Sequence, residues 1–312
     1  MPSDLDIHLA SRDELIAAHR NVFDIWSKGL SLEDHVRYRL NSPSHSRATW
    51  FVGTLDGRVV TSLGGYPLRF RVRGDNVPGI AIGSVYTLDA FRGRGFAPHL
   101  LEWVEDHARQ RQTALSVLYS DIGPDYYARL GYTPCPSLEG WCDPRTIAPA
   151  TGSSSRLVAF SPHEHLPAVM KLYADYHGAV PLSVARDAEY WEAILKKNAD
   201  DGFYALEEPS GTWRGYARIG RKGDVWRLTD FALADPSEGL AEQLYAALVE
   251  LARSGGASRI GGWLSDSAAA KKFFNITPRR TEITMIKPLT YSGPLGDEMI
   301  GPTSRFCEID HV

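Results

Sequence analysis

Apolar residues recur at helical spacing through residues 11–40, where Leu15, Ile16, Val22, Phe23 and Trp26 form one stripe. The pattern then changes to strand-like runs, predicted at residues 50–54, 59–66 and 80–88. Asp56-Gly57 supplies a hairpin turn between the first two. The alternation in Arg69-Phe70-Arg71-Val72-Arg73 suits a strand with its charges on the solvent face. Helical spacing returns over 96–109 with Leu100, Leu101, Val104 and Ala108. A short strand over 114–119 and a helix over about 125–130 follow, and Gly131 suits the left-handed residue that ends a helix.

Residues 143–155 contain Asp143-Pro144, Pro149 and Thr151-Gly152-Ser153-Ser154-Ser155, a density of breakers that predicts a linker. A similar order of elements then recurs. Gly239-Leu240-Ala241 matches Gly95-Phe96-Ala97 at an offset of 239 − 95 = 144, and Thr277-Pro278 matches Thr133-Pro134 at the same offset. One offset held across this stretch points to a duplicated domain. The predicted fold class is α/β with mixed sheets (α+β), in two tandem domains over 1–142 and 156–290, with a tail over 291–312.

Composition narrows the function classes. With 312 residues, 43% hydrophobic and 23% charged, the chain suits two globular domains. A formal net charge of −4 gives no general reason to bind nucleic acid or an anionic membrane. No apolar run approaches the roughly 20 residues of a membrane span. The acidic start Met1-Pro2-Ser3-Asp4 lacks signal-peptide order. Cys135, Cys142 and Cys307 are too few and too scattered for a disulfide framework or a zinc site, so a cytoplasmic protein without a metal is expected. His163, His165 and His177 likewise lack metal-ligand spacing and are expected on the surface or at caps.

The chemistry concentrates between residues 80 and 132. A predicted buried strand, ending Val85-Tyr86-Thr87-Leu88, leads through Asp89-Ala90-Phe91 into Arg92-Gly93-Arg94-Gly95-Phe96-Ala97 and a helix. Glycines let the backbone approach a ligand, and the helix start presents unpaired amides and a positive dipole end. Two arginines add charge, so the segment suits a phosphate or pyrophosphate.

This segment resembles the GNAT superfamily of acyl-CoA N-acyltransferases. Arg92, Gly95 and Ala97 match its Arg/Gln-x-x-Gly-x-Gly/Ala loop, and Tyr127-Ala128-Arg129-Leu130-Gly131-Tyr132 matches its tyrosine motif. Leu118-Tyr119-Ser120-Asp121 looks like the first domain of the enhanced intracellular survival acetyltransferases, which carry two tandem GNAT domains. The resemblance implies that Val85, Tyr86 and Thr87 pair with the pantetheine arm of acetyl-CoA. It implies that amides of Gly93, Arg94, Gly95, Phe96 and Ala97 face the pyrophosphate, with Arg92, Ser120 and Asp121 alongside. Tyr127 matches the superfamily's general acid, and Tyr132 is expected in the core. The implied activity is acetyl transfer from acetyl-CoA to a primary amine of a small molecule. Two alternatives remain: a non-catalytic acyl-CoA-binding module, and a mycothiol-synthase-like enzyme.

At the same offset Arg92 maps to Pro236, Arg94 to Glu238 and Tyr127 to Lys271, so the second GNAT-like domain is expected to be degenerate. Its expected role is to wall an acceptor pocket, and Tyr173, Tyr176, Tyr190, Trp191, Trp213 and Trp226 are candidates to line it or to fill the core. Asp89, Asp121, Glu102 and a water chain are candidate bases, none singled out by spacing. In the survival proteins the terminal carboxylate is the base, so Val312, or His311, is a candidate here. A homo-oligomer is compatible with the sequence.

Overall fold

Two pairs of left-handed residues decide where the first long strands turn back: Asp56 and Gly57 at φ 47° and 73°, and Arg73 and Gly74 at φ 51° and 97°. The structure, a computed structural model, describes residues 5–148 and 155–312. The first half contains β1 (Asp6–Leu9), α1 (Arg12–Asn21), α2 (Phe23–Trp26) and α3 (Leu32–Asn41). It continues through β2 (Thr49–Leu55), β3 (Arg58–Val72), β4 (Asp75–Thr87), α4 (Phe96–Gln110), β5 (Leu115–Ser120) and α5 (Asp125–Ala128). The predicted helical region 11–40 is thus three helices, the first and third started by Ser11 and Ser31, whose hydroxyls accept helix amides.

After β6 (Thr133–Pro134) and β7 (Leu138–Cys142), the second half runs β8 (Arg156–Ala159), α6 (Leu166–Gly178), β9 (Leu182–Ala185), α7 (Ala188–Lys196), β10 (Gly202–Glu207), β11 (Trp213–Lys222) and β12 (Val225–Leu233). It closes with α8 (Glu238–Ser254), β13 (Arg259–Gly262), α9 (Ala268–Phe273), β14 (Asn275–Pro278), β15 (Ile283–Pro288) and α10 (Asp297–Ile300). Each half therefore repeats an antiparallel meander, a crossover helix and a parallel strand. Of the expected linker, residues 149–154 lie outside the described residues.

The linear domain boundaries need correction. One sheet has the order β1-β2-β3-β4-β5-β15-β6, and the other β14-β7-β13-β12-β11-β10-β8. Strand β7 therefore leaves the first half to pair with β13 and β14, while β15 returns from the second half to lie between β5 and β6. The division between 1–142 and 156–290 cuts across both sheets. The physical reason is that backbone N–H and C=O groups on β5 and β13 must be paired, and the partner nearest in sequence is not the one that pairs them. Strand β9 adds a further tie by pairing with the outer half of β3.

Helix α4 buries Phe96, Leu100, Leu101, Val104 and Ala108 against the first sheet, beside Phe51, Leu63, Ile82, Leu118 and Met285. Tyr132 lies in the same core with its hydroxyl hydrogen-bonded to Ser116 at 2.7 Å. Of the second-half aromatics, Tyr173, Tyr176, Tyr190, Trp191 and Trp226 are buried in the other core. His177 is buried too, with Nε2 3.0 Å from the Phe231 carbonyl, so its expected place at the surface is corrected by the packing of α6 on β12.

One ion cluster fixes the chain's last residues. The Arg186 guanidinium donates to Asp230 at 2.7 and 3.1 Å and to Asp310 at 2.8 and 3.0 Å. Their side chains are at most 1% exposed. Tyr190 and Tyr216 donate to the same two carboxylates. Lys197 donates to the carbonyls of Ile309 and His311.

Arg186→Met leaves two buried carboxylates without their cation and should cost about 3–5 kcal/mol in urea unfolding, partly recovered by adding Asp230→Asn and Asp310→Asn. A second expectation concerns His19, 1% exposed and without a hydrogen-bond partner on either nitrogen. Burial, reinforced by Arg39 and His35, lowers its pKa from 6.5 to about 3. Between those values the unfolded chain binds a proton that the native imidazole does not, so stability falls as pH drops through this window. From pH 7 to 5 the wild type should lose about 2 kcal/mol more than His19→Gln, read as the change in unfolding free energy.

Candidate active site

The site begins where two parallel strands part. β4 and β5 pair from Gly79–Leu115 to Ile82–Leu118, and pairing ends there although β4 continues to Thr87. The cause is a bulge: Ser84 and Val85 together oppose the single residue Leu63 of β3, and Ser84 adopts a left-handed φ of 53°. Beyond the bulge, the β4 backbone edge facing β5 is left without a strand partner. Two cavities open on the two sides of this parting.

The first cavity, about 490 Å³, is lined by Val85, Tyr86, Thr87, Arg92, Gly93, Gly95, Phe96, Ala97, Pro98, Ile122, Tyr126 and Tyr127, with Phe91. Gly93 and Gly95 hold φ 77° and 80° with open space where a Cβ would project, and Gly95 caps α4. The first amides of a 15-residue helix thus face an unobstructed loop. Arg92 stacks over Tyr86, donates to the Thr87 carbonyl at 3.2 Å and pairs with Asp89 at 2.8 Å. Tyr127 is 8% exposed, and burial, reinforced by Tyr126 and Asp121, raises its pKa well above the usual phenol value.

Nine of the residues singled out in sequence therefore meet at one cavity: Val85, Tyr86, Thr87, Arg92, Gly93, Gly95, Phe96, Ala97 and Tyr127. Arg94 instead lies exposed over the Phe91 ring at 5.1 Å. Ser120 is buried and donates to the Gly123 carbonyl at 2.6 Å. Asp121 lines the second cavity and accepts the Glu282 amide at 3.2 Å.

That second cavity, about 560 Å³, lies between α2–α3, the β4–β5 parting, the end of α7 and the chain's last residues. Val312 rests against Gly83, and His311 packs edge-on to Tyr119 at 5.0 Å. Lys196, Lys197 and Asn198 are the second half's contribution to the wall. The aromatic lining comes from Trp26, Tyr38, Tyr66 and Tyr119 of the first half, not from the second-half aromatics considered in sequence. Sequence reasoning also missed Arg39, Ser84 and Lys197. A charged residue within a helical stripe and a serine within an apolar strand were the available signals, and neither is specific.

The second half parts its strands in the same way, since β12 runs on to Leu233 while its pairing with β13 ends at Leu228–Gly262. Its opening is filled. Residues Arg305 to Glu308 of the tail lie in it beside Thr229, Asp230 and Trp263, leaving about 10 Å³. The helix start differs as well: Ser237 caps α8 in extended geometry, so Gly239, expected at the turn, lies inside the helix. Glu238 accepts the Ala269 amide at 2.6 Å, and Lys271 pairs with Asp266 at 2.5 Å.

Residues 10–135 match the family model of the acetyltransferase (GNAT) domain. A search of curated protein sequences finds no match. Among solved structures, the chain is similar to a GCN5-related N-acetyltransferase from Anabaena variabilis, with TM-score 0.70 and 17% identity over 90% of this chain and 72% of that one. It is similar to Eis1 from Mycobacterium abscessus, with TM-score 0.61 and 18% identity over 91% and 74%. It is also similar to Saccharomyces cerevisiae N-myristoyltransferase with bound myristoyl-CoA, with TM-score 0.61 and 12% identity over 100% and 86%. These similarities over most of the chain agree with two GNAT-like units, the second without an open groove. Among the described residues, no helix is long and apolar enough to cross a membrane.

Proposed function

We propose that the protein transfers an acetyl group from acetyl-CoA to a primary amine of a small molecule, with the first cavity holding the acyl donor and the second the amine. The observation that carries this reading is the meeting of the Gly93–Gly95 loop, the free edge of β4 and Tyr127 at one cavity. The fit of a CoA pyrophosphate is supported by open space above both glycines and by the exposed helix start. Bound acyl-CoA supplies an activated thioester.

The chain's residues divide the remaining work. Backbone groups of Val85 to Thr87 orient the pantetheine arm and the acyl carbonyl in the parting. Tyr127 keeps its proton at neutral pH because burial disfavours the phenolate, and it delivers that proton to the departing sulfur. On the amine side, a chain ending at Val312 places its α-carboxylate to accept the proton of the attacking amine. Support for Val312 is its place against Gly83, one residue before the bulge, in the cavity on the amine side.

Calorimetry with acetyl-CoA should give one-to-one binding by the wild type. Gly95→Glu should abolish it, placing a carboxylate and a strained φ at the helix start, whereas Gly239→Glu should retain it. Loss of binding in both variants, or none in the wild type, counts against the reading. In amine turnover, Tyr127→Phe should lower kcat about 10²-fold or more with little change in acetyl-CoA affinity. An added C-terminal glycine should lower kcat comparably by moving the carboxylate, and an extended chain with full turnover removes Val312 as the base.

A further inference from the structure

We infer that the amine accepted in the second cavity carries an oxyanion, a carboxylate or a phosphate, bound by the guanidinium of Arg39. This rests on the acyl-transfer reading for the cavity's role and adds the chemical class of its occupant.

Arg39 projects from α3 and is 7% exposed, yet it lines the cavity. A guanidinium offers five N–H donors. Among the described residues Arg39 makes one hydrogen bond, from Nη2 to the Ser84 hydroxyl at 3.1 Å, and its Nε has no partner. Among the described residues it has no carboxylate within ion-pair distance. The rings of Trp26 and Trp50 lie 5.4 and 5.8 Å from it, holding the cation without neutralising it. Leaving a buried charge uncompensated is costly, and two other buried arginines that meet carboxylates avoid it. Arg186 has two aspartates, and Arg218 has Asp201 with carbonyls of Ile194 and Asn198.

The surroundings carry the same sign. Lys28, Lys196 and Lys197 line the cavity with Arg39, against Asp121 and the end of the chain. Asp121 is engaged with the Glu282 amide, and Val312 makes no hydrogen bond or ion pair with Arg39 among the described residues. His45 and His311 also line the cavity, and burial holds both imidazoles neutral with pKa values of about 3, so neither opposes an anion nor supplies its charge. Position makes the charge selective. Ser84, the partner of Arg39, lies between Gly83, where Val312 rests, and Val85, which lines the donor cavity. An oxyanion held at Arg39 therefore lies close to the parting through which the acyl group passes, as in an amino acid or a phosphorylated amine.

The test separates binding from turnover. Thermal-shift and calorimetric titrations would compare N-acetylglycine, N-acetylphenylalanine and Nα-acetyllysine with their carboxamides, and O-phosphoethanolamine with ethanolamine. The wild type should bind at least one anionic member tenfold or more tightly than its neutral counterpart, and the preferred pair tells carboxylate from phosphate. Arg39→Gln should erase that ratio and Arg39→Lys should keep part of it. Equal binding within every pair, no binding by any member, or an unchanged ratio in a folded Arg39→Gln overturns the inference. Wild-type binding of acetyl-CoA reports the acyl-transfer reading separately: its loss with the anion preference intact leaves the oxyanion site standing without that reaction.

Discussion

The guanidinium of Arg186 determines where the last residues of this chain lie, and with them one wall of the cleft. It is buried between Asp230 of the second sheet and Asp310 of the tail, four hydrogen bonds long and with two tyrosines completing the carboxylates. Taking one cation and two anions out of water costs many kcal/mol unless every donor and acceptor is met, so the cluster tolerates little displacement. Val312 is two residues beyond Asp310, a reach of about 7 Å at full extension. The charge cluster in the second unit thus holds the chain end against Gly83 of the first.

The same tail explains the asymmetry of the duplication. Both halves part a parallel strand pair after a few rungs, which is the step that creates a groove. In the first half the bulge at Ser84 leaves the β4 edge free, and paired left-handed glycines open the helix start. In the second, a serine caps the helix start, the Glu238 carboxylate beside it accepts the Ala269 amide, and residues 305–308 fill the parting. A groove that was available for a ligand holds the protein's own chain, and what it holds shapes the other groove.

The exchange of β7 and β15 makes the two halves one structural unit. Each sheet lacks an inner strand without the other half, so neither half satisfies its backbone alone. This explains how a cleft walled by α2–α3, α7 and the tail keeps a fixed shape although its parts are far apart in sequence. It also sets the electrostatics: α7 ends at the cleft with Lys196 and Lys197, beside Arg39 from the first half.

The sequence by itself determined the local elements and most of the residues that line the first cavity. Period-two and helical patterns marked the strands and helices because side-chain burial follows backbone repeat, and two glycines two residues apart before a helical stripe marked a turn that requires positive φ. The tyrosine motif fell on the same cavity because only one helix and one strand separate it from that turn. Tertiary structure decided the rest. Strand exchange leaves no sequence mark, since the swapped and unswapped partners offer the same backbone groups. The offset of 144 aligned Gly239 with Gly95, but the helix in the second half starts at Glu238, because a serine cap and a glycine turn fix a helix start at different residues. The charge of the second cavity was hidden for a related reason: Arg39, Lys197 and Val312 are distant in sequence, and only packing across both halves decides which buried charges find partners and which remain free.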